Sequence, residues 1–503
     1  MSEPFYITTA ISYPNGPPHI GHAYEAIAAD AIARFQRSQG RDVRFQTGTD
    51  EHGLKMAQAA RAEGIEPRIF STKMSQLFQN MCDILNVSYD RFIRTSEPDH
   101  YGASQAIWQA MEGSGDLYLD RYEGWYSVRD EAYYDENELV AGEGGEKLSF
   151  HGSPVEWTVE ESWFFRLSKY QQPLLDHYAA NPEFIRPESR RNEVQRFVEG
   201  GLNDLSISRT SFAWGVPVPG SPEHVMYVWL DALTNYITGL GYPDDTELWR
   251  RYWPANVHLI GKDVVRFHAV YWPAFLMSAG IALPRQVYGH GFLLSRGEKM
   301  SKSVGNVVDP IVLADKFGVD ALRYFLLREV TFGQDGSYSA EAIIARANAE
   351  LANSFGNLAQ RTLSMVYKNL SGVLPAQGDA AADRELLKLV EQATKRGVPE
   401  AFDRFAFSTG IEAWLHAVFA CNAYVDAQAP WALRKTDPAR MAAVLGTLVV
   451  AVRELARAIA PIIPASAGKL LTVIDGGEGG APIAQPTPLF PRLELEEGPE
   501  PAA

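Results

Sequence analysis

The opening of the chain switches between two hydrophobic patterns. Residues 5–13, FYITTAISY, are rich in β-branched and aromatic side chains, which predicts a strand. From residue 21 to residue 39 the apolar positions recur at helical spacing, and residues 41–53 then predict a second strand that ends at Thr49 or Asp50. Strand, helix and strand of these lengths form a βαβ unit with a right-handed crossover. We therefore expect an α/β fold with a doubly wound, Rossmann-like parallel sheet.

The later patterns divide the rest of the chain. Strand and helix patterns return from about residue 225, in VMYVWL, VHLIG and QVYGHGFLL, so we expect the parallel sheet to resume there. The residues before them are dense in Gly, Pro, Trp and Tyr and lack this rhythm, which indicates an inserted domain. From about residue 340 the chain is alanine-rich and helix-periodic, which predicts an α-helical bundle. In the acidic tail we expect a docked segment around Leu489–Phe490 and disorder after it. The predicted segments are residues 1–115 and 225–295 for the two halves of the α/β domain, 116–224 for the insertion, 296–339 for a loop with linking helices, 340–475 for the bundle and 476–503 for the Gly/Pro-rich tail.

Length, charge and cysteine content narrow the classes of protein to consider. A chain of 503 residues is too long to fold around a single hydrophobic core. At roughly 150 residues per domain, it suggests about three domains. The two cysteines, Cys82 and Cys421, can build neither a disulfide framework nor a cysteine metal site, which suits a reducing, cytoplasmic setting. Residues 446–464 are apolar but interrupted by charged side chains, so we expect no membrane span, and we expect no secretory signal. A net charge of −16 disfavours indiscriminate binding to polyanions, so any nucleic acid must be recognised by a local patch.

Two histidines stand where the first predicted strand turns into the first helix. PNGPPHIGH places Gly21 between His19 and His22. In open parallel sheets ligands bind at this carboxyl edge, and the unsatisfied N–H groups of a helix start attract phosphate. Imidazoles there can donate hydrogen bonds to phosphate oxygens, and Gly21 removes a side chain that would keep a nucleotide away from the helix. The residues alone leave two alternatives open: a zinc site, for which His52 is the available further ligand and no thiolate is near, and a pair of solvated histidines.

A second basic element follows the predicted strand QVYGHGFLL. The loop RGEKMSKSVG, residues 296–305, carries Lys299 and Lys302 between two glycines. Two ammonium groups on a flexible loop can close over a triphosphate and stabilise the charge that moves onto the leaving pyrophosphate. A basic loop tip by itself is usually solvated surface. Together with HxGH in the same α/β chain, it indicates chemistry on a nucleoside triphosphate.

HIGH at residues 19–22 and KMSKS at residues 299–303 resemble the two signatures of class I aminoacyl-tRNA synthetases. The segments AISYPNGPPHIGHAYE, TGTDEHG, LNDLSISR, YVWLDALTNY, HLIGKDVVRFHAVYWPA and KMSKSVGNVVDP look like motifs of the methionyl family within that class, and the resemblance runs from Tyr6 to Trp431. It implies a methionine–tRNA ligase that activates L-methionine with ATP and Mg²⁺, releases pyrophosphate and transfers the methionyl group to the 3′ end of tRNA(Met), elongator and initiator alike. Positioning and electrostatics suffice for such chemistry, without a covalent enzyme intermediate.

The resemblance also implies roles for individual residues. It assigns the substrate α-ammonium to Asp50, which by position alone could equally cap a helix. Trp229 and Tyr236 match the side-chain pocket, where aromatic edges suit a thioether at roughly 0.3–1.5 kcal/mol per contact, but residues seven apart also share a helix face and could be core. Leu233 departs from the proline of some members, which leaves the shape of the pocket open. Arg209 is similar to an arginine near the active site, with a surface ion pair as its alternative. The implied ATP-binding residues are His19, Gly21, His22, Lys299, Met300, Ser301 and Lys302, of which His19, His22, Lys299 and Lys302 are catalytic, and the implied methionine-binding residues are Ala10, Ile11, Tyr13, Asp50, Trp229, Ala232, Leu233, Tyr236, Val264 and His268.

For the helical domain the resemblance implies anticodon reading by Asn357, Arg361 and Trp431. Stacking of a splayed base on an aromatic or guanidinium plane is worth roughly 1–3 kcal/mol, so these residues would form the local patch that the negative net charge requires. Many members of the family hold zinc in the inserted domain through cysteines. Here no cysteine lies in that range, so we expect no structural zinc. The insertion should instead be held by aromatic residues such as Trp125, Tyr126, Tyr133, Tyr134 and Trp157.

Three other functions stay open. Another class I ligase for a hydrophobic amino acid is the nearest, although the branched-chain enzymes normally carry a larger insertion and the cysteinyl enzyme normally uses zinc thiolates. A nucleotidyltransferase that uses HxGH on a small metabolite would have no use for an RNA-reading domain. A non-catalytic RNA-binding relative would not need intact HIGH and KMSKS segments. We expect a monomer without a membrane partner.

Overall fold

The α/β character predicted from the opening pattern is confirmed by the computed structural model, which describes residues 2–130, 132–142, 145–295, 298–299 and 307–494. The chain divides into two units, and each is described by itself. The first unit comprises Met1–Ala29, Gln39–Asp83 and Val87–His290, and the second comprises Asp30–Ser38, Ile84–Asn86 and Gly291–Ala503.

Helices and strands alternate through most of the chain up to residue 290. Longer antiparallel strands interrupt this alternation in the region predicted as the insertion. The elements are β1 (Pro4–Thr9), α1 (Ile20–Ser38), β2 (Asp42–Thr49), α2 (Leu54–Glu63), α3 (Pro67–Ile84), β3 (Arg91–Arg94), α4 (Pro98–Gly113), β4 (Leu117–Ser127), β5 (Ala132–Tyr134), β6 (Leu139–Ala141), β7 (Lys147–Ser149), β8 (Glu156–Phe165), α5 (Gln171–Ala180), β9 (Ile185–Arg186), α6 (Glu188–Glu199), β10 (Leu205–Ser206), β11 (Ser208–Arg209), β12 (Pro217–Val218), β13 (Ser221–Met226), α7 (Val228–Thr238), α8 (Glu247–Tyr252), β14 (Val257–Gly261), α9 (Trp272–Ser278) and β15 (Val287–His290), with 3-10 helices at Glu136–Glu138, Leu167–Tyr170 and Lys262–Val264 and a π-helix at Phe267–Tyr271.

Six of these strands form one parallel sheet in the order β3-β2-β1-β14-β15-β9. β1 pairs with β2 on one side and β14 on the other, so the first strand of the chain lies inside the sheet. Its residues from Phe5 to Thr9 are buried, as expected for a strand covered on both faces. β1 ends at Thr9 and not at residue 13, whereas β2 ends at Thr49 as predicted. Because the strands are parallel, the carboxyl ends of β1, β2 and β14 meet at one edge.

Two strands differ from what the hydrophobic pattern suggested. VMYVWL predicts a strand of the parallel sheet, and this prediction is wrong: Met226 ends β13 in an antiparallel sheet of order β11-β13-β12, and α7 begins at Val228. A short buried apolar run does not distinguish a strand from a helix start. One edge strand of the parallel sheet is β9, which pairs with β15 although its residues lie in the range predicted for the insertion.

β4 and β8 form a long antiparallel pair, which belongs to a sheet of order β10-β8-β4-β5. The rings of Trp125 and Trp157 contact each other edge to face across this pair, with centroids 5.3 Å apart. The aromatic content had suggested such contacts. The side chain of Tyr133 lies outside the described part of the chain.

A polar cluster also lies beside these strands, and the aromatic pattern did not predict it. The Asp130 carboxylate accepts hydrogen bonds from Ser149 and Ser153 at 2.6 Å and from Tyr134 at 2.9 Å. Burial alone would raise the pKa of Asp130, but these hydrogen bonds hold it below its ordinary value. The ionised carboxylate thus ties together three separate points of the insertion.

The core of the first unit lies between α4, α7 and α9. Trp108, Tyr236 and Trp272 are buried there in one connected hydrophobic cluster. Tyr13 and Trp229 are only partly buried and pack against the same cluster. The core therefore reaches the sheet edge where β1 ends and supports the side chains that stand there.

The described residues of the second unit form three short strands and a series of helices, which confirms the α-helical character predicted for the C-terminal region. The long helices Phe407–Gln428 and Pro438–Ile459 pack together through Trp414, which is fully buried and donates its indole N–H to the Leu455 carbonyl at 2.9 Å. None of the described helices is both long enough and apolar enough to cross a membrane. The elements are β16 (Leu293–Ser295), β17 (Glu298–Lys299), α10 (Pro310–Phe317), α11 (Val319–Glu329), β18 (Gly336–Tyr338), α12 (Ala340–Arg346), α13 (Asn357–Asn369), α14 (Ala381–Gln392), α15 (Val398–Phe402), α16 (Phe407–Gln428), α17 (Pro430–Thr436), α18 (Pro438–Ile459) and α19 (Pro464–Asp475), with π-helices at Ala347–Gly356 and Ala393–Gly397 and a 3-10 helix at Glu478–Gly480.

The docked segment expected near the end of the chain is confirmed. The backbone N–H and carbonyl of Leu493 both hydrogen-bond to the Asn348 side chain, each at 2.8 Å. Phe490 lies close over Gly356, where a Cβ would approach its ring to 3.1 Å. The disorder expected after this segment falls on residues 495–503, outside the described part of the chain.

Candidate functional site

The two histidines of HIGH lie at the start of α1, at the carboxyl edge of the parallel sheet. The His19 backbone N–H donates to His22 Nδ1 at 3.1 Å, and the Gly21 N–H donates to His19 Nδ1 at 3.1 Å. Each Nδ1 is therefore an acceptor, and a neutral imidazole then carries its proton on Nε2. The ring centroids are 3.8 Å apart. Both side chains can thus present an N–H donor to a phosphate oxygen.

Besides leaving room for a nucleotide, the absence of a side chain at Gly21 also leaves room for the His19 ring. A Cβ on this residue would lie 2.9 Å from Cε1 of His19, closer than real contacts of this kind. Any larger residue would therefore push the His19 ring out of its position over the first turn. The glycine of HIGH sets the position of the histidine before it.

The lysine loop is described only in part. Lys299 lies in β17, where its backbone pairs with Leu294 of β16. Met300, Ser301 and Lys302 lie outside the described residues. Their assigned contacts with ATP stay predictions.

Asp50 follows β2 directly and lies at the same carboxyl edge. Its N–H donates to the Ser12 carbonyl at 2.9 Å, and the residue is buried. The helix that follows, α2, has Gly53 as its N-cap residue and no side-chain cap, so the alternative role of Asp50 as a helix cap is not realised. Tyr13 stands beside this turn, and its hydroxyl accepts a hydrogen bond from the Met56 N–H at 3.1 Å.

His268 and Tyr236 form a buried hydrogen-bonded pair. The Tyr236 hydroxyl lies 2.6 Å from His268 Nε2, and His268 Nδ1 lies 2.9 Å from the Val264 carbonyl. Because a carbonyl can only accept, Nδ1 carries the proton and Nε2 accepts from the hydroxyl. Burial lowers the pKa of His268 to about 4, so the ring is neutral at neutral pH. The pair therefore forms an uncharged polar wall in an apolar region.

The Trp229 ring packs against the segment that contains His268. Its ring stacks on Phe267 with centroids 3.7 Å apart and meets His268 edge to face at 6.2 Å. Trp229 and Tyr236 thus do share a face of α7, as their spacing predicted. Trp229 stays partly exposed whereas Tyr236 is 1% exposed, so plain core packing describes the second better than the first.

Most of the other predicted pocket residues pack nearby. Leu233 is buried in the same hydrophobic cluster, and Ala232 is buried on the same helix. Ala10 and Val264 are partly buried at the rim of this cluster, next to the ends of β1 and β14. The Ala10 N–H donates to the Leu259 carbonyl at 3.0 Å, and Ile11 is half-buried in the following turn.

Arg209 is not the surface residue that its alternative required. It is 2% exposed and donates to the Ser208 carbonyl at 2.7 Å and to the Ser206 hydroxyl at 2.9 Å. Its guanidinium lies over the rings of Tyr126 and Tyr227, at 5.4 and 4.8 Å from their centroids.

The patterns missed several buried polar groups beside the predicted site. Glu51 is buried and receives two hydrogen bonds from the Arg94 guanidinium, at 2.7 and 3.0 Å. Glu25, three residues after His22 on α1, lies 2.9 Å from His290 Nε2. Burial raises the pKa of Glu25, although the hydrogen bond with His290 opposes this shift. Glu25 lies three residues after HIGH, and Glu51 lies within TGTDEHG. This closeness to the motifs is the signal in the sequence that could have indicated them.

His52 has a structural role that the sequence does not indicate, since its position suggests only a candidate zinc ligand. Both its ring nitrogens have partners: Nδ1 lies 2.6 Å from Asp231 and Nε2 lies 3.0 Å from the Tyr101 hydroxyl. Among the described residues no group of three or more His, Cys, Asp or Glu side chains could hold a metal ion.

In the second unit, two of the three predicted anticodon residues meet. The Arg361 guanidinium lies 5.5 Å from the centroid of the Trp431 ring, and it also approaches Asp426 at 3.6 Å. Trp431 is 49% exposed and the Arg361 side chain 40%. Asn357 is exposed at the start of α13, one turn before Arg361 and directly after a π-helix. Together they form an exposed surface with an aromatic plane, a guanidinium and an amide.

Two family models cover most of the chain. The model of class I tRNA synthetases (M) matches residues 5–147 and 146–363. The model of the anticodon binding domain of methionyl tRNA ligase matches residues 375–485.

Relatives and solved structures agree with these models. The methionine–tRNA ligase of Brucella suis is 56% identical over 98% of this chain and 99% of its own length. That of Mycobacterium bovis is 55% identical over 99% of both chains. The structure of Mycobacterium tuberculosis methionyl-tRNA synthetase in complex with methionyl-adenylate is 55% identical, covers 97% of this chain and 100% of that chain, and superposes with a TM-score of 0.94. The free form of that enzyme gives a TM-score of 0.87 at 51% identity, over 98% of this chain and 99% of that one.

Proposed function

The chain belongs to the methionyl-tRNA synthetases of class I, and from this membership we propose which of its own residues serve each step of the reaction. It is a methionine–tRNA ligase, which activates L-methionine with ATP to methionyl-adenylate and then transfers the methionyl group to tRNA. In the first step the carboxylate attacks the α-phosphate and pyrophosphate leaves. In the second step the ribose at the 3′ end of the tRNA takes the acyl group and AMP leaves.

ATP is held at the start of α1. His19 and His22 donate from Nε2 to the phosphate oxygens, where they stabilise the charge that develops as pyrophosphate departs. Lys299 and Lys302 act on the β- and γ-phosphates together with the Mg²⁺ that arrives with ATP, and Met300 and Ser301 complete that loop. The support for this assignment is the position of HIGH at the carboxyl edge of the sheet together with an N–H proton on each imidazole.

Methionine binds between the Asp50 turn and α7. The Asp50 carboxylate takes the α-ammonium group, and Tyr13, Trp229 and His268 surround the side chain. His268 is neutral, so it presents no charge to the thioether. An apolar side chain can therefore pack against the ring without the cost of removing water from a charged group. The remaining wall is formed by Ala10, Ile11, Ala232, Leu233, Tyr236 and Val264.

The tRNA is read at the exposed surface of Asn357, Arg361 and Trp431. Trp431 offers a stacking plane, while Arg361 and Asn357 offer hydrogen bonds to base edges. We extend this reading to elongator and initiator tRNA(Met), since both carry the same anticodon.

The finer setting of the protein is proposed on chemical grounds. Cys82 and Cys421 are both buried as thiols, which suits the reducing cytoplasm. We expect no structural zinc, because the Asp130 carboxylate with its hydroxyl partners ties the insertion together by hydrogen bonds. We also expect a monomer.

One observation carries the proposed substrate: a neutral, buried imidazole is fixed by Tyr236 and the Val264 carbonyl, beside the partly buried ring of Trp229. The test is ATP–pyrophosphate exchange with each of the common amino acids. We expect exchange with methionine and with no other. Equal exchange with leucine or isoleucine would overturn the substrate assignment.

A further inference from the structure

A single buried carboxylate joins two histidines in the first unit. Asp231 Oδ2 lies 2.6 Å from His52 Nδ1, and Asp231 Oδ1 lies 2.6 Å from His100 Nε2. All three side chains are at most 1% exposed. Neither the sequence patterns nor the proposed reaction gives this trio a role.

The charge state of the trio follows from its contacts. Burial alone would raise the pKa of Asp231, but the charge of His52 and hydrogen bonds from both histidines hold the pKa at about 2. An ionised carboxylate can only accept, so His52 donates from Nδ1 and His100 donates from Nε2. Beyond them, the Tyr101 hydroxyl lies 3.0 Å from His52 Nε2, and the hydroxyls of Thr238 and Ser104 lie 3.0 Å from His100 Nδ1 and 3.2 Å from His100 Nε2.

The first histidine leads to the turn that carries Asp50. His52 lies two residues after Asp50, and this turn is held along its length: the Asp50 N–H binds the Ser12 carbonyl, and the Glu51 N–H binds the Thr95 hydroxyl at 2.8 Å. Trp214 closes the turn, because its indole N–H donates to the Glu51 carbonyl. The turn is therefore held in place by hydrogen bonds along its length, and His52 connects it to Asp231.

The second end of the connection is the helix that carries the methionine pocket. Asp231 lies on α7 between Trp229 and Leu233. A displacement of α7 relative to the turn would move the proposed thioether wall away from the proposed ammonium site. The hydrogen bond between His52 and Asp231 opposes such a displacement.

We propose that Asp231 is a positioning residue for methionine, which keeps the Asp50 carboxylate in register with Trp229 and Leu233 through His52. It touches no substrate. The inference rests on the proposed function, because it takes Asp50 and α7 as the two sides of the methionine site. A misplacement of about 1 Å between two such groups is enough to cost on the order of a hundredfold in rate.

The test is Asp231→Asn in the full-length enzyme, with exchange measured as a function of methionine and of ATP. We expect the KM for methionine to rise by about tenfold or more and the KM for ATP to stay within about twofold. KM does not depend on the amount of active enzyme, so a loss of folded protein would lower only the maximal rate. Unchanged methionine KM in an active variant would overturn the inference while the proposed function stands. A wild-type enzyme without methionine-dependent exchange would overturn both.

A matched pair of variants separates positioning from general stability. His52→Leu and His100→Leu each remove one hydrogen bond to Asp231 at an equally buried site. We expect the first to raise the methionine KM as Asp231→Asn does and the second to raise it several-fold less, because His100 leads to α4 and not to the Asp50 turn. His52→Asn can keep a donor near the position of Nδ1 and should restore much of the affinity. Equal KM values for the two leucine variants, or no rescue by asparagine, would contradict a positioning role.

Discussion

The proposed active site and the proposed anticodon surface are built in opposite ways. In the first, Asp231, His52 and His268 are at most 2% exposed, and hydrogen bonds determine which nitrogen carries each proton. In the second, Trp431 and Arg361 are about half exposed and meet through a cation–π contact at 5.5 Å. A buried polar group is costly without its partner, so a rearrangement of the proposed active site would have to replace each of these hydrogen bonds. An exposed stacking plane can adjust to a splayed base.

The two regions nevertheless share one backbone device. His268 lies within the π-helix Phe267–Tyr271, and Asn357 follows the π-helix Ala347–Gly356. Such segments are rare and change the direction of the side chains that follow them. The contrast between the regions is therefore in burial and hydrogen bonding, and four experiments can break or sharpen it.

The largest loss of activity is expected at the residues that stabilise negative charge on the phosphates during the reaction. His22→Ala removes one donor to the transferring phosphate, so we expect exchange to fall by about 10²- to 10³-fold. The methionine KM should stay within about twofold, because His22 is assigned to the phosphates of ATP and not to methionine. Steady-state exchange kinetics measure both values. A loss below about threefold would mean that His22 is a structural residue only.

Trp431→Ala tests whether the exposed surface acts separately. We expect tRNA charging to weaken by about 5- to 150-fold, which corresponds to roughly 1–3 kcal/mol of lost stacking, while exchange without tRNA stays nearly intact. Tyr367→Ala is the matched control, since Tyr367 is also exposed, at 40%, and lies outside the proposed trio. Loss of exchange together with charging would count against a separate anticodon site.

The pH dependence of stability should reveal the buried imidazole. Burial lowers the pKa of His268 to about 4, below the ordinary value of 6.5, so between these values the unfolded chain binds the proton that the folded chain refuses. The contribution of His268 to the free energy of unfolding is fully present above pH 6.5. It is lost as the pH falls toward 4, by up to about 1.4 kcal/mol per pH unit. Denaturant unfolding of wild type and His268→Gln between pH 7.5 and 4.5 measures it. Identical slopes for the two proteins would show that His268 is not the group responsible.

The smallest effect on activity is expected in the insertion. Asp130→Ala leaves the hydroxyls of Ser149, Ser153 and Tyr134 without their carboxylate, so we expect the stability of the insertion to fall by about 1–3 kcal/mol. Methionine-dependent exchange should change less than twofold. Hydrogen exchange of β4 and β8 locates the loss. If Asp130→Ala lowered ATP–pyrophosphate exchange as much as His22→Ala does, the insertion would take part in methionine activation.

Local patterns predicted the opening of the fold well. β2 ends at Thr49 as its alternation indicated, and α1 begins within one residue of the predicted start. Both features depend on neighbouring residues, whose periodicity is directly visible. VMYVWL failed for the opposite reason, because burial, which makes the run apolar, is common to a central strand and a buried helix start.

The sequence indicates the motifs of the candidate site but not the residues that support them. HIGH, Asp50, Trp229 and His268 stand out by residue type and by resemblance to a family. Phe267, Trp214 and Asp231 do not, since an aromatic or acidic residue beside a motif has many ordinary roles. Nothing in the sequence indicates that Asp231 lies between two histidines.

By itself the sequence determined the βαβ opening, the histidines at its turn, the absence of a cysteine framework and the helical character beyond residue 340. Each of these depends on composition or on residues close together along the chain. Tertiary structure decided which side chains meet: His52 reaches Asp231 across 179 positions and His100 reaches it across 131. Contacts between such distant residues depend on how the elements pack, because a buried polar group loses its contacts with water and is stabilised by whatever partner the fold brings close to it.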